Sequence, residues 1–370
     1  MKIQNLLKTS SEWIRGENGG NRIVFSSRLR LARNLNHHPF PGWAKKAERE
    51  KVLALVQPAV ADLPEMKDAI INDSMEHFTP LEKQVLVEQH LISREHAAKN
   101  AGSGLVISKN RSVSVMINEE DHLRIQSLRS GLQLRALLKT VDKLDTELEA
   151  RLDFAFSPQI GYLTACPTNV GTGMRASAMM HLPALVLDDQ ITPIIKAVNK
   201  IGLAVRGLYG EGTEALGNLF QISNQMTLGE SEAQIVDKLT KVILQVMEHE
   251  ENARQKMLED KSRMIADQVG RAYGIMMHCY SISSKEVLNL LSMLRLGIDL
   301  GLMPEEYRTT IDELFIRTQP AHLQKERKLT TEERDGLRAD LMREYLKSAP
   351  MPNTKPLILG KTIDDDRKKT

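Results

Sequence analysis

The sequence has few cysteines, few aromatic residues and no long apolar runs, and each shortage excludes a class of protein. Two cysteines in 370 residues cannot form the disulfide framework of a small secreted domain, so a reducing compartment is expected. No stretch approaches the roughly 20 apolar residues of a membrane helix. The N-terminus, MKIQNLLKTSSEWIRG, lacks the apolar core of a signal peptide. We therefore predict a cytoplasmic protein with no membrane partner.

Charge of one sign and glycine-rich nucleotide motifs are also scarce. The formal net charge of +2 is too small to indicate a nucleic-acid partner. No segment closes with the Gly-Lys-Ser or Gly-Lys-Thr of a P-loop, and the glycines around Gly210 lack the third glycine of a dinucleotide fingerprint. The hydrophobic fraction of 41% is enough for a substantial core, and the length favours two domains.

Strand and helix patterns are distributed unevenly along the chain. Strands are predicted in the first half of 22–34, in 111–118 and in 219–223, and helices in 44–63, 127–152 and 175–187. From Ser231 onward only helical spacing occurs. We place a boundary near residue 255, which divides the chain into a mixed domain, a helical domain and a tail: 1–255, 256–350 and 351–370.

Two arginines on the first strand are candidate binding residues. Arg28 and Arg30 are two positions apart, so both side chains leave the same face of an extended chain. Neighbouring guanidinium groups repel each other unless an anion lies between them. One interpretation is a solvated basic strand face, and the other is a clamp for polyphosphate, whose oxygens match the planar fork of arginine.

The segment from Asn118 to Arg124 places three consecutive acids at the end of a predicted strand. A solvated turn with a surface ion pair of little energetic value is one interpretation. The other is a carboxylate, Glu120, presented beside a site for a cation.

Cys166 lies where the apolar run of residues 160–163 stops against Pro167. A strand that ends in this Cys-Pro turn would place the thiol at a sheet edge, facing a ligand. A buried cysteine that acts as a small hydrophobic residue is the alternative. Further along, residues 205–214 combine three glycines with two glutamates and predict a mobile acidic loop.

These candidates fit a single reaction. Five arginines without matching acids require a polyanion such as a nucleoside triphosphate: Arg28, Arg30, Arg124, Arg175 and Arg206. The acids and the thiol then require a second substrate that is planar and positively charged, and a guanidinium is both. A guanidinium has a pKa above about 12, so a carboxylate must take its proton as the nitrogen attacks phosphorus. Phosphoryl transfer also needs alignment and charge neutralisation, which the arginines and Mg²⁺ would supply.

The motifs that carry these residues resemble those of the phosphagen (guanidino) kinases, such as arginine kinase and creatine kinase. Cys-Pro-Thr-Asn-Val-Gly-Thr at 166–172 is similar to the cysteine signature of that family. Four further segments resemble its other motifs in the same order: residues 27–30, 118–124, 175–177 and 206–211. The resemblance covers residues 21 to about 230. It implies an α+β fold, with a mostly antiparallel sheet flanked by helices as in the phosphagen-kinase and glutamine-synthetase-like catalytic domains, followed by an all-helical C-terminal domain.

Site residues follow from the resemblance position by position. It implies that the protein binds ATP together with Mg²⁺ and that no protein side chain is a direct ligand of the metal. The residues implied for ATP binding are Ser27, Arg28, Arg30, Arg124, Arg175, Ser177, Met179, Arg206, Gly207, Gly210 and Glu211. Glu120 would be the main catalytic carboxylate, and Cys166 would lie by a non-reacting nitrogen of the guanidinium. The second catalytic acid is either Glu211 or Glu214. Met179 replaces the histidine usual for adenine binding, and His181 lies two residues further on.

The ends of the chain depart from the phosphagen kinases. The helical domain that precedes the first arginine motif in that family is missing, which implies an open site. The helical C-terminal domain instead resembles that of the bacterial protein-arginine kinases, which phosphorylate arginine side chains and mark proteins for the Clp protease. Their phosphoarginine-binding motif, Arg-Asp-x-x-Arg-Ala, matches Arg334, Asp335, Arg338 and Ala339. Two arginines at i and i+4 can grip one phosphate, although an exposed charged helix face is the alternative.

The resemblance therefore implies an ATP-dependent protein-arginine kinase of the stress response. The implied partners are substrate proteins, a Clp ATPase or protease, a candidate activator protein and a second copy in a homodimer, with phosphoarginine acting back on the enzyme allosterically. Two alternatives stay open. One is a kinase of a free small guanidino compound, and the other is a phosphoarginine-binding adaptor with a vestigial kinase site.

Overall fold

The computed structural model describes residues 6–7, 11–15, 22–207, 215–324 and 328–354. The contacts divide the chain into two compact units. Unit 1 comprises Met1–Met179, Val198–Val205 and Gln221–Ile243, and unit 2 comprises Met180–Ala197, Arg206–Phe220 and Leu244–Thr370. The boundary near residue 255 stays a prediction.

An eight-stranded sheet carries most of the predicted motifs. Its strands, in chain order, are β1 (Val24–Arg33), β2 (Ile71–Ser74), β3 (Gly104–Ile107), β4 (Val113–Ile117), β5 (Leu123–Ser130), β8 (Met174–His181), β9 (Leu203–Gly207) and β10 (Leu219–Asn224). The order across the sheet is β2-β3-β4-β5-β1-β8-β10-β9. The pairs β2–β3, β3–β4, β4–β5 and β5–β1 are antiparallel. Strands β6 (Phe156–Ser157) and β7 (Gly161–Tyr162) form a separate antiparallel hairpin.

The helices of the described residues fall into two groups. Those before β10 are α1 (Glu12–Arg15), α2 (Lys46–Ala61), α3 (Pro80–Glu88), α4 (Arg94–Ala97), α5 (Leu134–Glu149), α6 (Pro183–Leu187) and α7 (Ile191–Lys200). Those after it are α8 (Glu232–Asp260), α9 (Ser262–His278), α10 (Ser284–Asp299), α11 (Arg308–Arg317), α12 (Pro320–Gln324) and α13 (Thr331–Leu346). Within the described ranges no helix has the length and apolar character needed to cross a membrane.

Strand β1 lies near the middle of the sheet. Around Arg28 and Arg30 its burial alternates, because successive side chains point to opposite faces of the sheet. Leu29 and Leu31 are buried, whereas Arg28 and Arg30 are half-buried on the opposite face. The register with β5 places Ala32 opposite Arg124. Three candidate arginines are thus carried by two adjacent strands.

Several predicted elements are confirmed. The strand in 111–118 is β4, the strand in 219–223 lies within β10, and the helix in 44–63 is α2. Among the described residues after Ser231, the regular elements are all helical.

One predicted helix is wrong, and a second begins later than predicted. Residues 174–181 form strand β8, and the helix that follows is only the five-residue α6. Residues 123–130 form strand β5, so α5 begins at Leu134 instead of near Ser127. Met, Ala, Leu and Arg favour helices, but pairing with neighbouring strands outweighs this weak preference in both segments.

A buried ionic network holds the helices of unit 2 together. Arg254 contacts Glu250 at 2.7 Å and Asp299 at 2.8 Å, and Arg295 contacts Asp312 at 2.8 Å. All five side chains are almost fully withdrawn from solvent. Removing one partner would leave a buried charge uncompensated, so the network fixes the register of these helices.

Candidate active site

Four of the predicted arginines act on one another at the middle of the sheet: Arg28, Arg30, Arg124 and Arg175. They are called the arginine cluster below. Burial and the positive charges of Arg124 and Arg175 lower the pKa of Arg28 to about 10. Burial and the other three arginines lower the pKa of Arg30 well below its ordinary value. Such mutual repulsion is characteristic of a site that is complete only when an anion is bound.

The polar contacts of the cluster leave room for a ligand. Arg28 Nη2 donates to Gln221 Oε1 at 2.6 Å, and Arg124 Nη1 donates to Glu119 Oε1 at 2.5 Å. Arg30 Nε is buried and has no hydrogen-bond partner within the described part of the chain. A buried donor atom without a partner is costly, and a phosphate oxygen would satisfy it. The residues present therefore fit the phosphates of a nucleotide.

Residues 118–122, the acid turn, connect β4 to β5. Glu119 is buried and accepts hydrogen bonds from Ser93 Oγ at 2.5 Å and from the backbone N–H of Glu120 at 3.0 Å. Burial alone would raise its pKa, but Arg124 and these donors outweigh burial and hold the pKa at about 2. Glu119 is thus a permanent anion that anchors Arg124.

Glu120, next in the chain, has the opposite character. Its side chain is exposed. Partial burial raises the pKa of its carboxyl, and the negative charges of Asp121 and Glu119 raise it further. A carboxylate with a raised pKa is a better proton acceptor, so Glu120 suits the role of general base.

Cys166 lies in the cysteine loop, defined here as residues 163–172. The prediction that a strand ends at the cysteine is wrong, because β7 ends at Tyr162 and Cys166 precedes a short 3₁₀ turn, Pro167–Asn169. The thiol is half-buried, and its Sγ lies 3.1 Å from Thr168 Oγ1. Partial exposure is consistent with a ligand-contacting role and disfavours the buried hydrophobic alternative.

Asp121 joins the acid turn to the cysteine loop. Its Oδ1 accepts hydrogen bonds from the backbone N–H of Ala165 and from Asn34 Nδ2, each at 2.6 Å. Asn34 Nδ2 also donates to Leu163 O at 3.0 Å, and its Oδ1 accepts from the N–H of His122 at 2.9 Å. One carboxylate and one amide thus hold together the end of β1, the acid turn and the cysteine loop.

Sequence reasoning did not assign roles to Asp121 and Asn34. Asp121 stood in a recognised segment, but nothing in the order of residues showed which of its three acids would bind backbone. Asn34 is a single polar residue after β1 and carries no motif of its own. Their roles depend on contacts between residues at least 44 positions apart in the sequence.

Glycines allow the cysteine loop to pack closely. Gly171 has φ of +112°, and a Cβ there would lie 2.9 Å from Thr227 O. Gly161 has φ of +82°, and a Cβ there would lie 2.4 Å from Gly171 O. Thr227 Oγ1 donates to Val170 O at 2.7 Å. Any other residue at these two glycines would displace the backbone that positions Cys166.

The remaining nucleotide candidates differ in their surroundings. The Ser27 hydroxyl donates to Gly131 O at 2.7 Å and accepts from Gln133 N at 3.0 Å, so it serves the fold. Ser177 and Met179 are buried in β8. Arg206 is exposed near the end of β9, next to Gly207. Three other candidates lie outside the described residues, so the structure does not distinguish between the two possible second acids: Gly210, Glu211 and Glu214.

The His181 side chain is buried in the interior of unit 2. Its Nε2 lies 2.7 Å from Ser292 Oγ, and its Nδ1 lies 3.1 Å from Arg295 Nη1. Burial, followed by the charge of Arg295, lowers its pKa well below the ordinary value. Both ring nitrogens are engaged, so His181 does not supply a hydrogen bond to adenine from β8.

The two arginines of the C-terminal motif lie on α13 in different environments. Arg338 is buried, and its Nε donates to Thr318 O at 2.9 Å while its Nη1 donates to Ile282 O at 2.6 Å and to Asp335 Oδ1 at 2.5 Å. Arg334 is half-buried. The motif therefore combines an arginine held by the fold with one that is more accessible to a ligand.

The Arg334 side chain forms hydrogen bonds with residues just before it in the chain. Arg334 Nη1 donates to Leu329 O at 3.0 Å, and its Nη2 donates to Thr331 Oγ1 at 3.1 Å. Ala339 is fully buried, which explains why a small residue follows Arg338.

No group of three or more His, Cys, Asp or Glu side chains in the described ranges is placed to hold a metal ion.

Comparison with known proteins identifies the family. Residues 51–253 match the family model of the ATP:guanido phosphotransferase C-terminal catalytic domain, and residues 262–357 match that of the protein-arginine kinase McsB C-terminal domain. The chain belongs to the ATP:guanido phosphotransferase family and is a phosphotransferase enzyme. Its C-terminal match and its most similar curated relatives assign it to one branch of that family, the protein-arginine kinases.

Two relatives illustrate the extent of the similarity. The chain is 46% identical over 349 residues to the protein-arginine kinase of Halothermothrix orenii, which covers 94% of this chain and 99% of that protein. It is 47% identical over 353 residues to the protein-arginine kinase of Bacillus licheniformis, which covers 94% of this chain and 96% of that protein.

Solved structures confirm the predicted fold class. The duplicated taurocyamine kinase from Schistosoma mansoni, in its substrate-free form, matches with a TM-score of 0.54 and 28% identity over 66% of this chain and 35% of that chain. Lombricine kinase matches with a TM-score of 0.55 and 23% identity over 66% of this chain and 71% of that chain. Both share the mostly antiparallel sheet flanked by helices.

Proposed function

We propose that this enzyme transfers the γ-phosphate of ATP to the guanidinium of arginine side chains in proteins. The supporting observation is the link between two half-sites. Arg124 of the arginine cluster pairs with Glu119, and the next two residues are Glu120 and Asp121, which binds the cysteine loop. A polyphosphate site and a guanidinium site are thus attached to one turn.

The residues divide the reaction between them. The arginine cluster holds the phosphates and balances the charge on the transferred group. Glu120 accepts a proton from the attacking guanidinium nitrogen as the N–P bond forms and the bond from phosphorus to the bridging oxygen of ADP breaks. Cys166 contacts a non-reacting nitrogen, and Glu211 or Glu214 supplies the second carboxylate. Mg²⁺ bound to the ATP phosphates would supply further charge neutralisation.

A labelling experiment tests this proposal. The enzyme is incubated with ATP labelled at the γ-phosphate and an unfolded arginine-rich protein, with the same protein after blocking of its arginines as the control. We expect label that is lost in acid and that requires unblocked arginines. Label on free arginine alone would favour a kinase of small guanidines. Phosphoarginine binding with no transfer would favour an adaptor.

The wider role is part of the same proposal. We infer that the modified proteins are targets of a Clp ATPase or protease in the stress response of the cytoplasm, with an activator protein as a further candidate partner. We also infer that the enzyme is a homodimer and that phosphoarginine binds at Arg334, Asp335, Arg338 and Ala339. The half-buried position of Arg334 supports ligand access to that motif.

A further inference from the structure

We propose that two exposed apolar segments beside the guanidinium site bind the residues that flank the target arginine in a protein substrate. The first is residues 36–44, called the entry loop, and the second is the β6–β7 hairpin. This inference rests on the proposed function and adds a substrate preference, namely for apolar residues next to the arginine.

The entry loop is fastened to the acid turn through His122. His122 Nδ1 accepts a hydrogen bond from the N–H of Leu35 at 3.0 Å, so its Nε2 carries the proton and donates to Pro39 O at 3.0 Å. The rings of His38 and Phe40 lie against the same imidazole at 6.3 and 6.1 Å between centroids. His122 follows Glu120 by two residues, so the loop is held beside the proposed base.

Trp43 is a large apolar residue of the entry loop that lies at the surface. Its side chain is 88% exposed. The turn beneath it is ordered, because the N–H groups of Trp43 and Ala44 both donate to Phe40 O, at 2.8 and 2.9 Å. Tryptophan is usually buried over most of its surface, and an exposed one on a fixed turn is typical of a binding contact.

The β6–β7 hairpin presents a second apolar surface. Phe156 is 53% exposed and Ile160 is 43% exposed. The Phe156 ring packs edge-on against Tyr162, with the centroids 5.2 Å apart, so its position is fixed. The chain leaves the hairpin directly into the cysteine loop, where Leu163 N donates to Ala155 O at 2.9 Å.

The two segments share one backbone framework. Leu35 forms an isolated antiparallel bridge with Phe154, and Asn36 N donates to Asp153 O at 2.9 Å. The apolar side chains are therefore attached to the same framework that holds the acid turn and the cysteine loop. An arginine within a polypeptide has neighbours on both sides, and these neighbours are the occupant that such surfaces fit. A free arginine would leave both surfaces in water.

Two peptides with a single arginine test the inference, one with leucine on each side of it and one with glycine. We expect the wild-type enzyme to favour the leucine peptide by about tenfold in kcat/KM, the discrimination typical of a modest apolar contact. Trp43→Ala should reduce this ratio to about twofold by raising KM for the leucine peptide, and Trp43→Phe should keep most of it. Rates with the glycine peptide should be unchanged.

Leu55→Ala is the matched control, because Leu55 is also a large exposed residue but lies on α2. It should leave the ratio at the wild-type value. Equal kcat/KM for the two peptides in the wild type would overturn the inference while arginine phosphorylation itself still supports the proposed function. No phosphorylation of either peptide would overturn both. A change in self-association in Trp43→Ala with an unchanged ratio would assign the surface to a second copy instead.

Discussion

Glu119 and Glu120 show how adjacent, chemically identical residues acquire different roles. Glu119 faces Arg124 and the Ser93 hydroxyl, and its pKa is held at about 2. Glu120 is exposed at the surface, but partial desolvation of its carboxyl and the like charges of Asp121 and Glu119 raise its pKa. Their order in the sequence does not distinguish them, so the assignment of Glu120 as the base gains physical support only from the structure.

Replacing Glu120 removes the proposed proton acceptor and changes little else. We expect Glu120→Gln to lower kcat by about 10²-fold or more, with KM for ATP nearly unchanged, because the arginine cluster is intact. Steady-state kinetics with ATP and an arginine peptide would measure both constants. A near-normal kcat would contradict the assigned role.

The same carboxyl sets the acid limb of the pH profile. The raised pKa means that Glu120 becomes protonated, and the rate falls, at a pH above the ordinary 4.5 of glutamate. The negative charge of Glu95 contributes to this increase, so Glu95→Gln should move the acid limb to lower pH without abolishing activity. A shift to higher pH would contradict this explanation.

Asp121 is expected to act by positioning the cysteine loop. Asp121→Ala removes both hydrogen bonds to Oδ1 and leaves the Ala165 N–H and the Asn34 amide without an acceptor, so we expect kcat/KM to fall by about tenfold or more. Asp121→Asn is the matched control, since its amide oxygen can accept both bonds. Equal losses in the two variants would indicate that the charge, and not the positioning, is required.

At the scale of elements, short-range sequence patterns predicted many of the helices and strands. They failed in segments whose secondary structure is determined by pairing with neighbouring strands. The alternation in 111–118 was sufficient to predict β4, and the strand predicted in the first half of 22–34 corresponds to β1. Met174–His181, by contrast, contains mostly good helix formers, and only its neighbours in the sheet make it a strand. The contact between the acid turn and the cysteine loop was likewise not predictable, because nothing in the sequence marks Asp121 as the acid that binds the Ala165 N–H.

The glycines of the cysteine loop provide a test at this scale. We expect Gly171→Ala to destabilise the protein by about 1–3 kcal/mol and to lower kcat, because its backbone is left-handed and its new Cβ would press on Thr227 O. Gly229→Ala is the control. Its φ is also positive, +85°, but nothing lies within 4 Å of the added Cβ. Thermal unfolding that shows equal losses for both variants would exclude the clash as the cause.

At the scale of the whole molecule, the sequence was sufficient to predict the family, whereas the assigned binding residues stay predictions. Five ordered motifs covered the catalytic part, and the C-terminal motif indicated the branch, as the matches to residues 51–253 and 262–357 confirm. What remained hidden was the difference between Arg334 and Arg338, because burial of one guanidinium depends on carbonyl groups from distant turns.

The arginine cluster should make the stability of the whole enzyme depend on anions. A bound polyphosphate relieves the repulsion that lowers the pKa of Arg28 and Arg30, so tripolyphosphate or ATP should raise Tm in a saturable manner. Arg30→Gln should lose most of this increase. Potassium chloride at equal ionic strength is the control, and an equal increase with chloride would mean that general screening is responsible.

The length of β1 has a consequence for how this enzyme family can change. Arg28 belongs to the arginine cluster and Asn34 binds Asp121 of the acid turn, and six residue steps of about 3.3 Å each in an extended chain separate them by roughly 20 Å. Inserting or deleting one residue between them would turn every later side chain to the opposite face of the sheet. We therefore expect length changes within the family to fall in the surrounding loops and not between Arg28 and Asn34.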